Sequence, residues 1–300
     1  MSKEKAPPSF AKRKEVSTSD IDDVTPERTF SLMSYNVLAD CHIQPTTYPY
    51  RDPAHLHIDT RHKSLLEELR YSNCDVICLQ EVGPGYYQDT LNPEMQKLGY
   101  DGVYSKRTFD KNDEGCATFY NTSKFTLKDN VAYRLGEIAF KLLSDDQEET
   151  NHFSRYIDRC DVALLSLLEH VTSGRTVVVC NTHLVWESAH ISDVRCIQAF
   201  CCLVAIREFQ RKHTGSNITI LCGDFNTEPC EAAYELIVSG NIVDENKKKI
   251  QAENHIKMAT LQKLLNGLEG DDLIFKSAYK TILGDEPRIT FLLLFGLHIL

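Results

Sequence analysis

Apolar residues along this chain gather in short runs that stop abruptly at polar groups, the pattern of buried strands rather than of long helices. Phe30-Ser31-Leu32-Met33-Ser34-Tyr35-Asn36-Val37 predicts a first, partly alternating strand, and Asp75-Val76-Ile77-Cys78-Leu79 predicts a buried strand running into Gln80-Glu81. Cys116–Tyr120, Val162–Leu168, Thr176–Asn181 and the run Ile218-Thr219-Ile220-Leu221 ahead of Cys222-Gly223-Asp224 predict four more. Arg61–Leu69 behind Asp59-Thr60 reads as a capped amphipathic helix. From Ser192 to Lys212, Val194, Ile197, Cys201, Val204, Ala205 and Phe209 recur at helical spacing, and Glu231–Ser239 predicts another helix after Pro229. Strands in neighbouring runs with helices between the blocks predict an α+β fold, a sandwich of sheets with helices outside. Asp110–Glu114 and Asp145–Asn151 read as charged surface loops, and Asn246–Lys249 as a solvated charge run.

Composition narrows the class. Three hundred residues with 42% hydrophobic content suffice for one large domain, and no run approaches the ~18 to 20 apolar residues of a membrane span. Residues 1–27, rich in Lys, Ser, Pro and Asp, read as a disordered lead-in without a signal-peptide core. The 33 basic and 43 acidic residues give a net charge of −10, which excludes a broad electrostatic grip on nucleic acid but not phosphodiester chemistry with a local metal ion. Eleven cysteines, an odd number without a C-x-x-C pair, point to a reduced intracellular protein, cytoplasmic or nuclear.

Four strand exits carry polar residues that a core would not use: Asn36, Gln80-Glu81, Asn181 with His183, and Asp224 with Asn226. Glu81 is a hard oxygen ligand suited to Mg²⁺. Asn36 and Asn226 can hold phosphate or water without adding charge. His183 can donate to a developing phosphate oxygen, and Asp224 can orient or deprotonate a water. An Asx turn closing a buried strand uses the same residue types as Gly223-Asp224-Phe225-Asn226, so each position taken singly leaves a purely structural role open.

Ser34-Tyr35-Asn36, Leu79-Gln80-Glu81, Asn181-Thr182-His183-Leu184 and Gly223-Asp224-Phe225-Asn226 occur in an order that resembles the endonuclease/exonuclease/phosphatase superfamily. Ser34–Asp40, Gly115–Tyr120, and Trp186 through Asp193-Val194-Arg195 to Gln198 resemble its branch of carbon-catabolite-repressor-type deadenylases, nocturnin, angel proteins and 2'-phosphodiesterases. Lys106-Arg107-Thr108 ahead of Asp113–Ala117 looks most like the angel type. The resemblance covers residues 30 to about 280 and implies a two-sheet β-sandwich flanked by helices, with a Mg²⁺ (or Mn²⁺) site at the sheet rim. It implies Glu81 as metal ligand, Asn36 in the metal shell and on phosphate, and His183 on the scissile phosphate. Asp224 and Asn226 would position and activate the attacking water. Asn181, Trp186, Lys106 and Arg107 are the candidate substrate-binding residues.

The chain also departs from the family pattern. The Asp-Tyr-Ile strand and the later Ser-Asp-His of the family are absent; after Pro287 the chain reads RITFLLLFGLHIL. The expectation is therefore a C-terminally truncated domain over 28–287 with an atypical apolar tail over 288–300, covering an exposed edge or forming an aggregation-prone patch. Loss of the His-Asp pair predicts slow turnover, because a positioned general base is worth about 10²- to 10⁴-fold. Asp161, where relatives usually carry Asn, adds a carboxylate that would disfavour phosphate if it lay at the rim. The function implied is a Mg²⁺-dependent 3'-to-5' RNA exonuclease, deadenylase-like, acting on the RNA 3' end or poly(A) tail in mRNA turnover. The alternatives are a 2',3'-cyclic phosphate RNA phosphatase using the same site, or a catalytically dead module binding RNA and mRNA-decay or translation factors. No membrane partner is expected.

Overall fold

A computed structural model describes residues 29–43, 52–107, 113–143, 161–186, 191–213, 215, 218–266, 273–287, 292–294 and 297–299. The lead-in at 1–27, most of the loop at 110–114 and the loop at 145–151 lie outside the described residues. Two four-stranded sheets stack face to face. The first has the order β1 (Leu32–Asn36), β2 (Val76–Val82), β4 (Gly115–Asn121), β3 (Tyr100–Lys106). The second has the order β5 (Phe125–Arg134), β6 (Val162–His170), β7 (Thr176–His183), β8 (Ile218–Asp224). Two mixed sheets flanked by helices make this the expected α+β sandwich.

Each sheet contains one parallel pair, β1 with β2 and β7 with β8. Parallel neighbours need a crossover connection. Helix Ile58–Ser72 crosses between the first pair and Ser192–Lys212 between the second. Ligands in open α/β sheets bind beyond the carboxyl ends of parallel strands. Here the four parallel strands end, or nearly end, at Asn36, Glu81, His183 and Asp224.

Alternation along the strands explains both cores. In β2, Ile77 and Leu79 face the helices outside the first sheet, while Val76 and Cys78 face the second sheet. In β7, Val177 and Val179 face the first sheet, while Val178 and Cys180 pack against the outer helices. Strands buried on both faces read as continuous apolar runs, which is why their sequences were legible. Each Val or Leu so buried contributes about 1.5–3 kcal/mol.

Several elements differ from the sequence-based expectation. Strands β3 and β5 at the sheet edges went unpredicted, because residues such as Thr126, Lys128, Asp129 and Asn130 of the exposed β5 carry no apolar signal. Helices Leu135–Leu143 and Met258–Asn266 were likewise unanticipated. Asp59 and Thr60 are not caps but lie within helix Ile58–Ser72. Its first amide, Ile58 N, donates instead to Asp40 at 3.0 and 3.2 Å, a cap supplied from 18 residues upstream. Asn246–Lys249 lies in helix Asp244–Glu253: Lys248 and Lys249 are exposed and Lys247 is half-buried, as a solvated run requires, whereas the Asn246 amide is buried against Cys230 O and Glu235. In the apolar tail, β9 (Leu292–Leu294) and β10 (Leu297–Ile299) pair with each other and join neither four-stranded sheet.

Gly223 is a required glycine at the end of β8. Its φ is +146°, and a Cβ there would stand 1.9 Å from Thr182 O on the paired strand. Gly223→Ala is expected to lower unfolding free energy by about 2 kcal/mol or more, measured by urea titration. A change below about 0.5 kcal/mol would show that β8 does not hold this register.

Candidate active site

The rim where the two parallel pairs meet is assembled around one amide. Asn36 Nδ2 donates to Glu81 Oε1 at 2.7 Å and to Asp224 Oδ2 at 2.9 Å, so a side chain of the first sheet holds carboxylates from both. Glu81 Oε2 accepts from Ala39 N at 2.9 Å, and Asn36 Oδ1 accepts from Leu38 N at 3.0 Å. Strict alternation would turn Glu81 outward with Leu79. Instead the β2–β4 register shifts between Leu79 and Val82, and Glu81 takes φ 58°. This bulge re-aims its carboxylate into the rim. Leu38 shares the left-handed region at φ 59°. Arg61 clasps that loop, donating to Val37 O and Leu38 O at 2.7 Å each and to Asp40 at 2.9 Å.

The second sheet contributes the rest. Asn226 adopts φ 46° and its backbone N–H donates to Asp224 Oδ1 at 3.1 Å, so the motif is an Asx turn as well as part of the rim. Asn226 Nδ2 donates to Leu184 O at 2.9 Å. His183 is 3% exposed, with Nε2 3.9 Å from Asp224 Oδ2. Burial, and then the neighbouring Arg107 charge, push its imidazole down to about 3.

Asn36, Glu81, His183, Asp224 and Asn226 are thus brought together as the sequence motifs implied. The candidate substrate-binding residues divide. Asn181 is fully buried, with its amide spent on Leu79 O and Ala117 O and its carbonyl accepting from Gln80, so it joins the sheets and offers no open face. Arg107 is not a surface cation: it is 5% exposed between Asp161, Glu114 at 2.9 Å and His183. Lys106 pairs with Asp113 at 2.6 Å on the surface. Trp186, 61% exposed two residues beyond Leu184, keeps a free aromatic face near the rim.

Asp161 would disfavour phosphate only if its carboxylate were displayed at the rim; it is instead buried and bonds Arg107 and Gln198. Glu114, read as part of a surface loop, is fully buried. Burial would raise its carboxyl, but His42 and Arg107 hold it below the usual range. His42 is the residue that sequence reasoning missed altogether. The Cys41 thiol and then Glu114, 3.6 Å away, hold its imidazolium up to about 10. No strand-exit pattern marks a histidine in a short helical turn.

The donor set fits a hard divalent cation. Its groups are carboxylates and carboxamides only, and among the described residues no Lys, Arg or His lies within ion-pair distance of Glu81. Burial raises the Glu81 carboxyl against the pull of His42, Asn36 and Ala39, a cost that a bound cation would reverse. A separate group, Asp193, Glu253 and His255, converges within 4.8 Å. Its carboxylates cap the start of helix Ser192–Lys212 and the turn at His255.

The endonuclease/exonuclease/phosphatase family profile matches residues 33–272. The chain belongs to this family. It is 30% identical over 246 residues to the CCR4-Not complex 3'-5'-exoribonuclease subunit Ccr4 of Yarrowia lipolytica, covering 72% of this chain and 35% of that protein. It is 33% identical over 236 residues to 2',5'-phosphodiesterase 12 of Mus musculus, covering 75% and 38%. The structure of ANGEL2, a 2',3'-cyclic phosphatase, superposes with a TM-score of 0.60 at 30% identity over 71% of this chain and 58% of that one. Human nocturnin's catalytic domain, at 24% identity and the same TM-score over 87% and 77%, shares the fold. These neighbours place the chain in the Ccr4, nocturnin and angel branch, and it spans well under half the length of the two curated relatives.

The two histidines impose opposite pH dependences on stability. His183 falls from 6.5 to about 3 on folding, so the unfolded chain binds the extra proton between those values. Stability is full above 6.5 and declines as pH falls, at up to about 1.4 kcal/mol per unit. His42 rises from 6.5 to about 10, so its contribution is present below 6.5 and lost as pH rises towards 10. Urea titrations in metal-free buffer should show His183→Gln flattening the acid limb and His42→Gln the alkaline limb. An acid limb unchanged in His183→Gln would contradict the buried neutral imidazole.

Proposed function

We propose that the chain is a divalent-metal-dependent phosphodiesterase acting on the 3' end of RNA, a 3'-to-5' exonuclease of deadenylase type in mRNA turnover. The observation that carries this reading is the Asn36 amide joining Glu81 and Asp224 beside His183. Glu81, with Asn36 in its shell, would hold Mg²⁺ or Mn²⁺, and the ion would supply positive charge to the phosphate. His183 donates from Nε2 to a non-bridging phosphate oxygen. Asp224 accepts the proton side of the attacking water, and the Asn226 turn keeps that carboxylate aimed. Trp186 offers a face on which a base stacks. The free thiols among the described residues suit a reducing compartment, cytoplasm or nucleus.

Similarity to ANGEL2 favours a second reading on the same site, hydrolysis of a 2',3'-cyclic phosphate. A third reading is RNA or decay-factor binding without turnover. One assay separates them: 5'-labelled oligoadenylate ending in either a free 3'-hydroxyl or a 2',3'-cyclic phosphate, with Mg²⁺ or Mn²⁺. Stepwise shortening is expected, abolished by chelation and reduced at least about 10²-fold in Glu81→Ala. Opening of the cyclic end alone would select the phosphatase reading; tight binding with no product would select the binding module.

A further inference from the structure

Arg107 follows the last residue of β3, where its backbone N–H donates to Glu114 O at 2.9 Å. Its guanidinium meets four acceptors. Nε bonds Asp161, Nη1 bonds Glu114 Oε1 at 2.9 Å and lies 3.2 Å from His183 Nδ1, and Nη2 bonds Leu184 O at 3.3 Å. A guanidinium has five N–H donors and no acceptor, and it stays charged in proteins. His183 Nδ1 must therefore accept, which leaves the ring proton on Nε2, the nitrogen nearer Asp224. The same Leu184 carbonyl accepts from Asn226 Nδ2, so the arginine also anchors the backbone on which the Asn226 turn rests.

We infer that Arg107 is a positioning residue that locks His183 in the Nε2–H tautomer and fixes the Leu184 carbonyl for Asn226. Glu114 and Asp161 hold the guanidinium in place from opposite donors, and Gln198 orients Asp161 while accepting from Val185 N at 2.9 Å. Lysine cannot replace it, because an ammonium on a flexible stem does not span four acceptors in one plane. His183 then serves as a standing hydrogen-bond donor at the rim and not as a proton shuttle. The kinetic consequence rests on the phosphodiesterase reading; the tautomer does not.

The test is ¹⁵N–¹³C imidazole NMR of the full chain in Mg²⁺ buffer, with His183→Gln used to assign the resonance. The expected spectrum has Nε2 protonated and Nδ1 bare. In Arg107→Lys the resonance should move towards a tautomer mixture, and kcat should fall about 10- to 100-fold with KM little changed. The pair Arg107→Gln with Asp161→Asn, which removes the Asp161 charge together with the arginine and leaves Glu114 facing His42, should show the same loss of tautomer control. An Nδ1–H tautomer in the unaltered chain overturns the inference, as does an unchanged spectrum with unchanged kcat in Arg107→Lys. If neither variant folds, the unaltered chain's spectrum decides by itself. An Nε2–H spectrum from a folded chain with no hydrolysis would sink the phosphodiesterase reading and leave this one standing; hydrolysis with an Nδ1–H ring would do the reverse.

Discussion

Two buried amides link the two sheets in the alignment that produces the rim. Gln80 Nε2 donates to Asn181 Oδ1 at 2.8 Å across the interface between the sheets, and Asn181 Nδ2 donates on to Leu79 O and Ala117 O at 3.1 and 3.0 Å. Both side chains are almost wholly shielded from water. A buried amide left unpartnered costs on the order of 1–3 kcal/mol, so any slip of one sheet past the other is penalised twice. Apolar packing alone, being non-directional, would tolerate such a slip more readily. Once this alignment is set, the parallel pairs β1/β2 and β7/β8 must bring their carboxyl ends together, and Asn36 can reach Asp224.

Strain and charge are concentrated where those ends meet. Of the non-glycine residues at positive φ among those described, Asn73 and Asn254 end helices, where asparagine adopts this conformation at little cost. Leu38 and Glu81 have no such excuse and lie beside each other at the rim. Each conformation costs about 1–3 kcal/mol and persists because its surroundings enforce it: Arg61 for the Leu38 loop, the Ala39 amide and Asn36 for Glu81. Behind them, Arg107 offsets the buried carboxylates of Glu114 and Asp161. Removing one partner from such a set is more disruptive than replacing all of it, since it leaves an uncompensated buried charge.

Legibility in the sequence followed burial on both faces. Val76-Ile77-Cys78-Leu79 and Thr176–Asn181 are continuous apolar runs and were read as strands. Edge strand β5 alternates against water and was not. The polar endings Asn36, Glu81, His183 and Asp224 were legible because each interrupts an apolar run. In the structure Val177, Val179, Asn181 and His183 share one face, as do Ile220, Cys222 and Asp224. Glu81 breaks that alternation, and only its bulge accounts for its direction. Arg107, Glu114 and Asp161 looked like separate surface or substrate charges because nothing local to any of them reveals a partner 54 or 7 residues away.

By itself, then, the sequence determined the strands buried on both faces, the two crossover helices and the identity of the groups displayed at the strand exits, since each follows from a local period. The tertiary structure decided which of those groups meet. Asn36 and Asp224 are 188 residues apart and join through one hydrogen bond. Whether a cation is displayed or buried, and which nitrogen of a histidine holds its proton, depend on neighbours supplied by other elements. Hydrogen bonding and desolvation act over a few ångströms of space, and no spacing along the chain encodes that distance.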